Sequence, residues 1–188
     1  MLKYSFWNNK GGTGKTSLAF QAVTMFSESK PDKRVLVVDL CPQANLSELL
    51  LGGLVGKGSE NLKKIQNESP RRSIGGYFQE RLPAPYSMPN VDPYNYICQP
   101  SKFNKNISAN IDLIAGDALV ELQSNAITTL ANTQIPGTNT WMSIIDWLGD
   151  LIDQVEDKYD YLFVDANPSF SVYTQIGIAA TDRMVLPV

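Results

Sequence analysis

Hydrophobic and polar positions follow two rhythms along the chain. Short strand-like runs occupy residues 2–7, 34–39, 111–115, 161–165 and 183–188, and the run at 34–39 contains four consecutive apolar residues, as is typical of a strand buried on both faces. Apolar residues at helical spacing predict helices at residues 15–29, 118–131 and 140–156, with shorter helices at 47–51, 73–82 and 171–180. Strands that alternate with helices predict a mostly parallel sheet covered on both faces. The expected fold class is therefore a three-layer α/β/α domain.

The pattern is less regular between residues 54 and 110. Six prolines fall in this segment, so long elements are not expected there apart from the helix at 73–82. Eight lysines and arginines against four acidic residues leave the segment at +4, whereas the whole chain carries −3. We expect one domain over residues 1–188 that contains a basic, proline-rich, irregular insertion at about 54–110.

The amino-acid composition limits which kinds of site and which cellular location we expect. The chain has 188 residues and is 43% hydrophobic, which is enough for one globular core. Its cysteines, Cys41 and Cys98, have no CxxC partner, so structural disulfides are not expected. The absence of histidine excludes histidine as a general base or metal ligand. No signal peptide and no apolar run of the ~18 residues that span a bilayer is visible, so we expect a cytoplasmic protein without a membrane span.

A glycine-rich loop lies between the first predicted strand and the first predicted helix. It reads Lys10-Gly11-Gly12-Thr13-Gly14-Lys15-Thr16-Ser17. Glycines allow several backbone N–H groups to point at phosphates, and the helix N-terminus adds positive potential. Lys15 would then contact the β and γ phosphates, and the Thr16 hydroxyl would ligate Mg²⁺. Asn9 stands where the strict motif has its first glycine, a place that asparagine tolerates. The alternative is a glycine-rich turn that caps the helix by chance.

Residues 9–16 resemble the deviant Walker A box of the ParA/MinD ATPases. The mark of that family is an additional lysine before the glycines, here Lys10. The resemblance implies ATP and Mg²⁺ as cofactors and an ATP-sandwich homodimer in which Lys10 reaches the other subunit's nucleotide. A cation supplied in this way stabilises charge on the transferring phosphoryl group, as an arginine finger does. The alternative is a solvated loop lysine.

A second box, Val38-Asp39-Leu40-Cys41-Pro42-Gln43-Ala44-Asn45, follows an apolar strand. Ligands bind at this carboxyl edge in open parallel sheets. The box is similar to the family's second motif, and the resemblance implies that Asp39 orients or deprotonates the attacking water. Cys41 replaces the motif's second aspartate, which removes one carboxylate. The alternatives are a strand-end helix cap for Asp39, and a packing or redox-sensitive position for Cys41.

The third box ends the strand at 161–165. Asp165-Ala166-Asn167-Pro168-Ser169 is similar to the family's Walker B region, which implies that Asp165 holds Mg²⁺ through water. A strand-end cap is again the alternative. The three boxes follow one another in the family's order, and the resemblance extends over the chain except for residues 54–72 and 83–100. Because relatives continue beyond the strand at 183–188, we expect a C-terminally truncated form.

The resemblance is nearest to ParA-like partition ATPases. It implies slow, partner-stimulated ATP hydrolysis in plasmid or chromosome partitioning, with a ParB-like stimulating protein. Non-specific DNA contacts are expected from basic residues of the insertion, Lys63, Lys64, Arg71 and Arg72. The alternative is an ordinary solvated loop, which the lack of interleaved aromatic residues favours. The alternatives left open are a MinD-like membrane or cell-division ATPase, an ATP-dependent amide synthetase, and a nucleotide-binding module with little turnover.

Overall fold

A mixed β-sheet forms the centre of the computed structural model, which describes residues 1–187. Its strands are β1 Leu2–Phe6, β2 Val35–Asp39, β3 Ile97–Cys98, β4 Ile111–Ile114, β5 Tyr161–Asp165 and β6 Arg183–Val185. They lie in the order β3-β4-β2-β5-β1-β6, and every pairing is parallel except the antiparallel edge pair β3–β4. The central strands therefore end together at one edge of the sheet.

Helices cover both faces of this sheet. They are α1 Lys15–Ser29, α2 Asn45–Leu50, α3 Gly58–Gln66, α4 Ile74–Arg81, α5 Leu119–Asn132, α6 Thr140–Ile145, α7 Trp147–Asp153 and α8 Val172–Ala179. Short 3₁₀ turns occupy Pro93–Asn95, Pro100–Lys102 and Glu156–Lys158. None of the helices described within residues 1–187 is long and apolar enough to cross a membrane.

Two apolar clusters fill the space between the sheet and its helices. Successive residues of β2 point to opposite faces. Val35 and Val37 belong to the cluster that contains residues of α1, α2 and α3, whereas Leu36 and Val38 belong to the cluster with residues of α4 to α8. All four side chains are fully buried. Burial on both faces explains why residues 35–38 of β2 are all apolar, and the helices on both sides of the sheet confirm the expected three-layer α/β/α fold.

The helix predicted at residues 140–156 is divided in two. The backbone at Asp146 has φ −81° and ψ −1°, and α7 begins at the next residue. Trp147 is fully buried there, its indole N–H donates to the carbonyl of Pro85, and its own carbonyl accepts from the Tyr77 hydroxyl. These tertiary contacts position the tryptophan at the start of α7. The helical spacing of apolar residues in the sequence contains no information about such contacts.

The last strand is shorter than predicted. β6 ends at Val185, two residues before Pro187, which has no N–H for a sheet hydrogen bond. The final residue of the predicted strand, Val188, lies outside the described residues. The sequence pattern was therefore right about the strand's existence and start, and wrong about its extent.

Residues 54–110 are more ordered than their sequence pattern predicts. The helix α3 was not predicted, because only Leu62 and Ile65 mark its buried face. The predicted helix at 73–82 is present as α4, and the Ser73 hydroxyl caps it by accepting from the Gly76 N–H at 3.1 Å. The segment also contributes the buried Tyr77 to the core. Prolines in this segment separate short elements without preventing them.

A buried ion pair fixes α4 to α7. The guanidinium of Arg81, only 2% exposed, donates to Asp150 at 2.6 Å and to the Tyr77 hydroxyl at 3.1 Å. It also lies over the Trp147 ring, 5.2 Å from its centroid. Removal of one partner from such a pair leaves a buried charge without compensation.

Asp150→Ala is therefore expected to lower the free energy of unfolding by about 3–5 kcal/mol, as measured by urea denaturation. Asp153→Ala is the matched control on the same helix, because Asp153 is 62% exposed and only 3.7 Å from Lys3 in a surface pair. The control substitution should lower the free energy of unfolding by less than about 1 kcal/mol. Equal effects of the two substitutions would contradict the role given to the buried pair.

Candidate nucleotide-binding site

Three strand ends bring the predicted site residues together. β5 lies between β1 and β2, and Asp165 is in register with Phe6 on one side and with Asp39 on the other. The loop after β1 therefore starts beside the carboxylate at the end of β5. Parallel pairing alone accounts for this convergence, since all three strands run toward the same edge.

The glycine-rich loop wraps around open space at this edge. Gly12 and Gly14 have φ angles of +74° and +75°, in the left-handed region that favours glycine. A Cβ atom placed at Gly11, Gly12 or Gly14 would meet nothing within 4 Å. The start of the loop is held by the Asn8 side-chain oxygen, which accepts from the Lys10 backbone N–H at 2.8 Å.

The loop forms one wall of a pocket of about 520 Å³. Every residue from Lys10 to Ser17 lines this pocket, and the rest of its lining comes from Cys41, Pro42, Gln43, Asn45, Glu121, Asn167 and Pro168. The structure thus brings all eight residues predicted to bind nucleotide to one cavity.

Lys15 and Thr16 meet at the side chain of Asp165. Lys15 is 7% exposed and forms a buried ion pair with Asp165, while the Thr16 hydroxyl donates to the other carboxylate oxygen at 2.9 Å. Burial raises the pKa of Asp165, and the ammonium of Lys15 opposes that shift. The predicted magnesium ligands are therefore already in contact.

The residues fit a magnesium–triphosphate group. Thr16 and Asp165 present hard oxygen ligands, which Mg²⁺ prefers. The Thr13 hydroxyl is buried and has no hydrogen-bond partner among residues 1–187, although it lies in the phosphate loop itself. The open space at the three glycine positions would admit phosphate oxygens close to the backbone N–H groups.

Asp39 is fully buried, and both of its carboxylate oxygens are engaged. One accepts from the Cys41 N–H at 3.0 Å, and the other accepts from the N–H and hydroxyl of Ser47 at 2.9 and 2.8 Å. Because Ser47 is the third residue of α2, Asp39 caps this helix. Burial is the main cause, and repulsion from Asp165 the second, of a rise in the pKa of Asp39 to about 7. The three hydrogen bonds oppose this rise.

Cys41, and not Asp39, lines the pocket at the end of β2. Its Sγ lies 3.7 Å from the Lys15 ammonium and 3.9 Å from the Asp165 carbonyl oxygen. Burial raises the pKa of this thiol, so that it remains protonated at neutral pH. In the structure the carboxylate of Asp39 therefore acts as a helix cap, which was the alternative interpretation of this residue. A role of Asp39 in activating water stays a proposal.

Glu121 is a pocket residue to which the sequence pattern assigned no role. It lies in the first turn of α5, and its carboxylate accepts from the Tyr173 hydroxyl at 2.7 Å. The same hydroxyl accepts from the Asn167 amide at 2.7 Å, so the third box is linked to α5. A glutamate soon after the end of a central strand was the available signal. That signal is weak, because acidic residues in first turns usually stabilise the helix dipole.

The predicted DNA-contact residues do not share one environment. Lys63 and Lys64 are exposed on α3 and have no ion-pair partner within residues 1–187. Arg72 pairs with Glu68 at 3.0 Å. Arg71 makes a two-pronged ion pair with the buried Asp117, with its Nη2 at 3.0 Å from one oxygen. The arginines are thus engaged within the chain, which leaves the two lysines as the available cations.

Comparison with known proteins agrees with this geometry. A family model described as an AAA domain matches residues 1–188. The virulence plasmid ParA family protein pGP5-D of Chlamydia psittaci is 26% identical over 189 residues, which cover 99% of this chain and 56% of that protein. The chain thus spans about half the length of the curated relatives it matches, with a range of 44–58%.

Two solved structures illustrate the shared fold. A plasmid partition protein from Borrelia burgdorferi has a TM-score of 0.65 and 20% identity, over 98% of this chain and 63% of that one. Cobyrinic acid a,c-diamide synthase from Mycobacterium smegmatis, solved with a bound ATP analogue and magnesium, has a TM-score of 0.67 and 19% identity, over 100% of this chain and 60% of that one. At these identities the likeness concerns the fold alone. The match of the family model over residues 1–188 shows by itself that the chain belongs to the AAA domain family of ParA/MinD-like P-loop proteins.

Proposed function

We propose that the chain binds ATP with Mg²⁺ in this pocket and hydrolyses it slowly as a homodimer, in ParA-like partitioning of plasmid or chromosomal DNA. The observation that carries the proposal is the phosphate loop, whose residues 10–17 all line one pocket with Lys15, Thr16 and Asp165 in mutual contact. Family membership and the curated ParA relative support the choice of ATP and of partitioning.

The roles of the pocket residues follow from their positions. Backbone N–H groups of the loop and the Lys15 ammonium would bind the phosphates, and Thr16 with Asp165 would hold Mg²⁺, which would neutralise phosphate charge. The Lys15 ammonium already forms an ion pair with Asp165 at this site. A bound phosphate would be a second anion for the same ammonium, which would not have to leave the site. Lys10 remains exposed at the pocket wall, where a second subunit can be reached.

The further partners belong to the same proposal. Non-specific DNA binds through the exposed pair Lys63 and Lys64, and a ParB-like protein stimulates hydrolysis. The name of pGP5-D, a ParA family protein of a plasmid, supports this assignment. A MinD-like membrane role would require an amphipathic segment that binds the membrane interface.

A second candidate function is a nucleotide-binding module with little turnover. The thiol of Cys41 occupies the pocket position at the end of β2, and the carboxylate of Asp39 is held by three hydrogen bonds in the interior. Neither group is arranged to take a proton from water. If this second function is correct, the protein stays bound to ATP for a long time, and a partner determines when that state ends.

Nucleotide binding is tested by calorimetry on the folded chain. ATP with Mg²⁺ at about 100 times its dissociation constant should raise the free energy of unfolding by roughly 2.7 kcal/mol. Lys15→Gln should remove both the heat of binding and this stabilisation, while Lys33→Gln, a 40% exposed lysine paired with Asp160, should retain both. A wild-type chain that gives no heat with any purine triphosphate would contradict the proposal.

Turnover separates the two candidates. Cys41→Asp places a carboxylate at the pocket wall and should raise single-turnover hydrolysis by about 10²-fold if the wild-type site lacks a water-activating group. Cys41→Ser, which keeps the size without the charge, should leave the rate unchanged. A Cys41→Asp rate equal to wild type, together with rate loss in Asp39→Asn, would assign the role to Asp39 and refute the low-turnover candidate.

DNA binding is tested by its salt dependence. Each phosphate contact contributes about 0.9 to the slope of log affinity against log salt concentration, so Lys63→Gln with Lys64→Gln should reduce the slope by about 1.8. The matched control is Lys102→Gln with Lys105→Gln, which removes the same charge from exposed positions of the same segment. Equal slopes in the two double variants would show that α3 is not the contact surface.

A further inference from the structure

One carboxylate at the mouth of the pocket is not used by the proposed chemistry. Glu121 is the acidic residue among the pocket-lining residues, it is exposed, and no cation lies within ion-pair distance of it in residues 1–187. Its position is nevertheless fixed, because its Oε2 accepts from Tyr173, whose side chain is 1% exposed and also bonded to Asn167. A buried tyrosine thus holds an uncompensated negative charge at the pocket.

The same pocket also presents an uncompensated positive charge. Lys10 lines the wall formed by the phosphate loop, and its ammonium has no carboxylate partner among the described residues 1–187. The Asx turn from Asn8 to the Lys10 backbone fixes the base of its side chain. Within the part of the chain that the structure describes, the lining of this pocket therefore contains one cation and one anion without an ion-pair partner, Lys10 and Glu121.

The carboxylate of Glu121 becomes unfavourable when an anionic ligand occupies the pocket. Two like charges at 4 Å repel by about 1 kcal/mol in water and by about 4 kcal/mol at the effective dielectric constant near a protein surface. A triphosphate in the pocket would be repelled by Glu121, which lines the same pocket as the phosphate loop, with a strength that depends on their separation. A cation placed between the carboxylate and the phosphates would remove it.

A two-fold interface supplies that cation. In an isologous dimer a residue i of one subunit contacts residue j of the other, and j contacts i in return. If the pocket mouths of two copies face each other, Lys10 of the second copy can lie next to Glu121 of the first, and the reverse. The charges at the opening are thus complementary to those of a second copy of the same chain.

Two exposed apolar side chains that lie close in sequence to pocket residues support a protein-covered surface. Phe170 is 66% exposed, three residues after the pocket residue Asn167, and its ring packs edge-on against Trp7 at 5.9 Å. Leu122, next to Glu121, is 79% exposed. Exposed apolar groups beside a polar site are typical of interaction surfaces.

We propose that Glu121 is the acceptor for Lys10 of a second copy, and that it positions this lysine at the nucleotide of its own subunit. The inference rests on the proposed function, because it requires an ATP-bound homodimer. Glu121 is a positioning residue in this scheme, since it acts on the phosphates through the lysine. Tyr173 and Asn167 in turn hold Glu121, so the loop after Asp165 is connected to the subunit interface.

A purely structural role for Glu121 would give different results. In the first turn of α5 its charge favours the helix dipole, and its oxygen accepts from Tyr173. Glu121→Gln keeps the hydrogen-bond acceptor and the size while it removes the charge. A structural role would therefore appear in thermal stability, whereas the proposed role appears in dimerisation.

The experiment is sedimentation equilibrium of the full chain with Mg²⁺ and a slowly hydrolysed ATP analogue. Glu121→Gln and Lys10→Ala are each expected to weaken the dimer by about 10-fold or more, the typical range for loss of a charged interface pair. The double variant should be no weaker than the weaker single variant, since both substitutions remove one interaction. Glu28→Gln, an equal charge change at the far end of α1, should dimerise as wild type.

The outcomes separate this inference from the proposed function. Wild-type dimerisation in Glu121→Gln, or additive effects in the double variant, would overturn the Lys10–Glu121 pair while the ATP-bound dimer stands. A wild-type chain that binds the analogue but stays monomeric overturns both the pair and the dimer. Absence of analogue binding removes the proposed function itself.

Discussion

The buried ion pair between Lys15 and Asp165 is the interaction on which the site depends. Both side chains are nearly inaccessible, at 7% and 1% exposure, so neither charge is stable there without the other. The pair joins the first residue of α1 to the last residue of β5, and Thr16 adds a hydrogen bond to the same carboxylate. It thereby fixes the phosphate loop, which has few side chains of its own, against the centre of the sheet.

At the end of β2, Asp39 and Cys41 have different surroundings and different contacts. Asp39 and Asp165 lie side by side in register, and their repulsion contributes to the raised pKa of Asp39. The hydrogen bonds from Ser47 and Cys41 stabilise Asp39 in this place and attach α2 to the strand end. A third carboxylate at position 41 would add to the repulsion. The neutral thiol of Cys41 avoids this additional repulsion.

The segment 54–110 is connected to the same edge of the sheet by a second charged cluster. Asp117 follows β4 and accepts from Arg71, from the Ser73 hydroxyl and from the Leu119 N–H at the start of α5. Burial alone would raise the pKa of Asp117, but these donors, led by Arg71, hold it below its usual value. One carboxylate thus anchors the basic segment beside the helix that carries Glu121. The arginine that the sequence pattern offered as a DNA contact contributes here to the fold.

Local chemistry explains what could be read from the sequence. Strands buried on both faces are rich in apolar residues, and a phosphate loop must combine glycines with a lysine and a hydroxyl residue, so β2, β5 and residues 10–17 were recognisable without coordinates. Tertiary structure decided the rest. The break at Asp146, the inward orientation of Asp39, the pairing of Arg71 with Asp117 and the presence of Glu121 at the pocket all depend on residues that are distant in the chain. Because a charge acquires its role from its burial and its neighbours, the sequence could name the candidate residues, and only the folded chain determined which of them face the pocket.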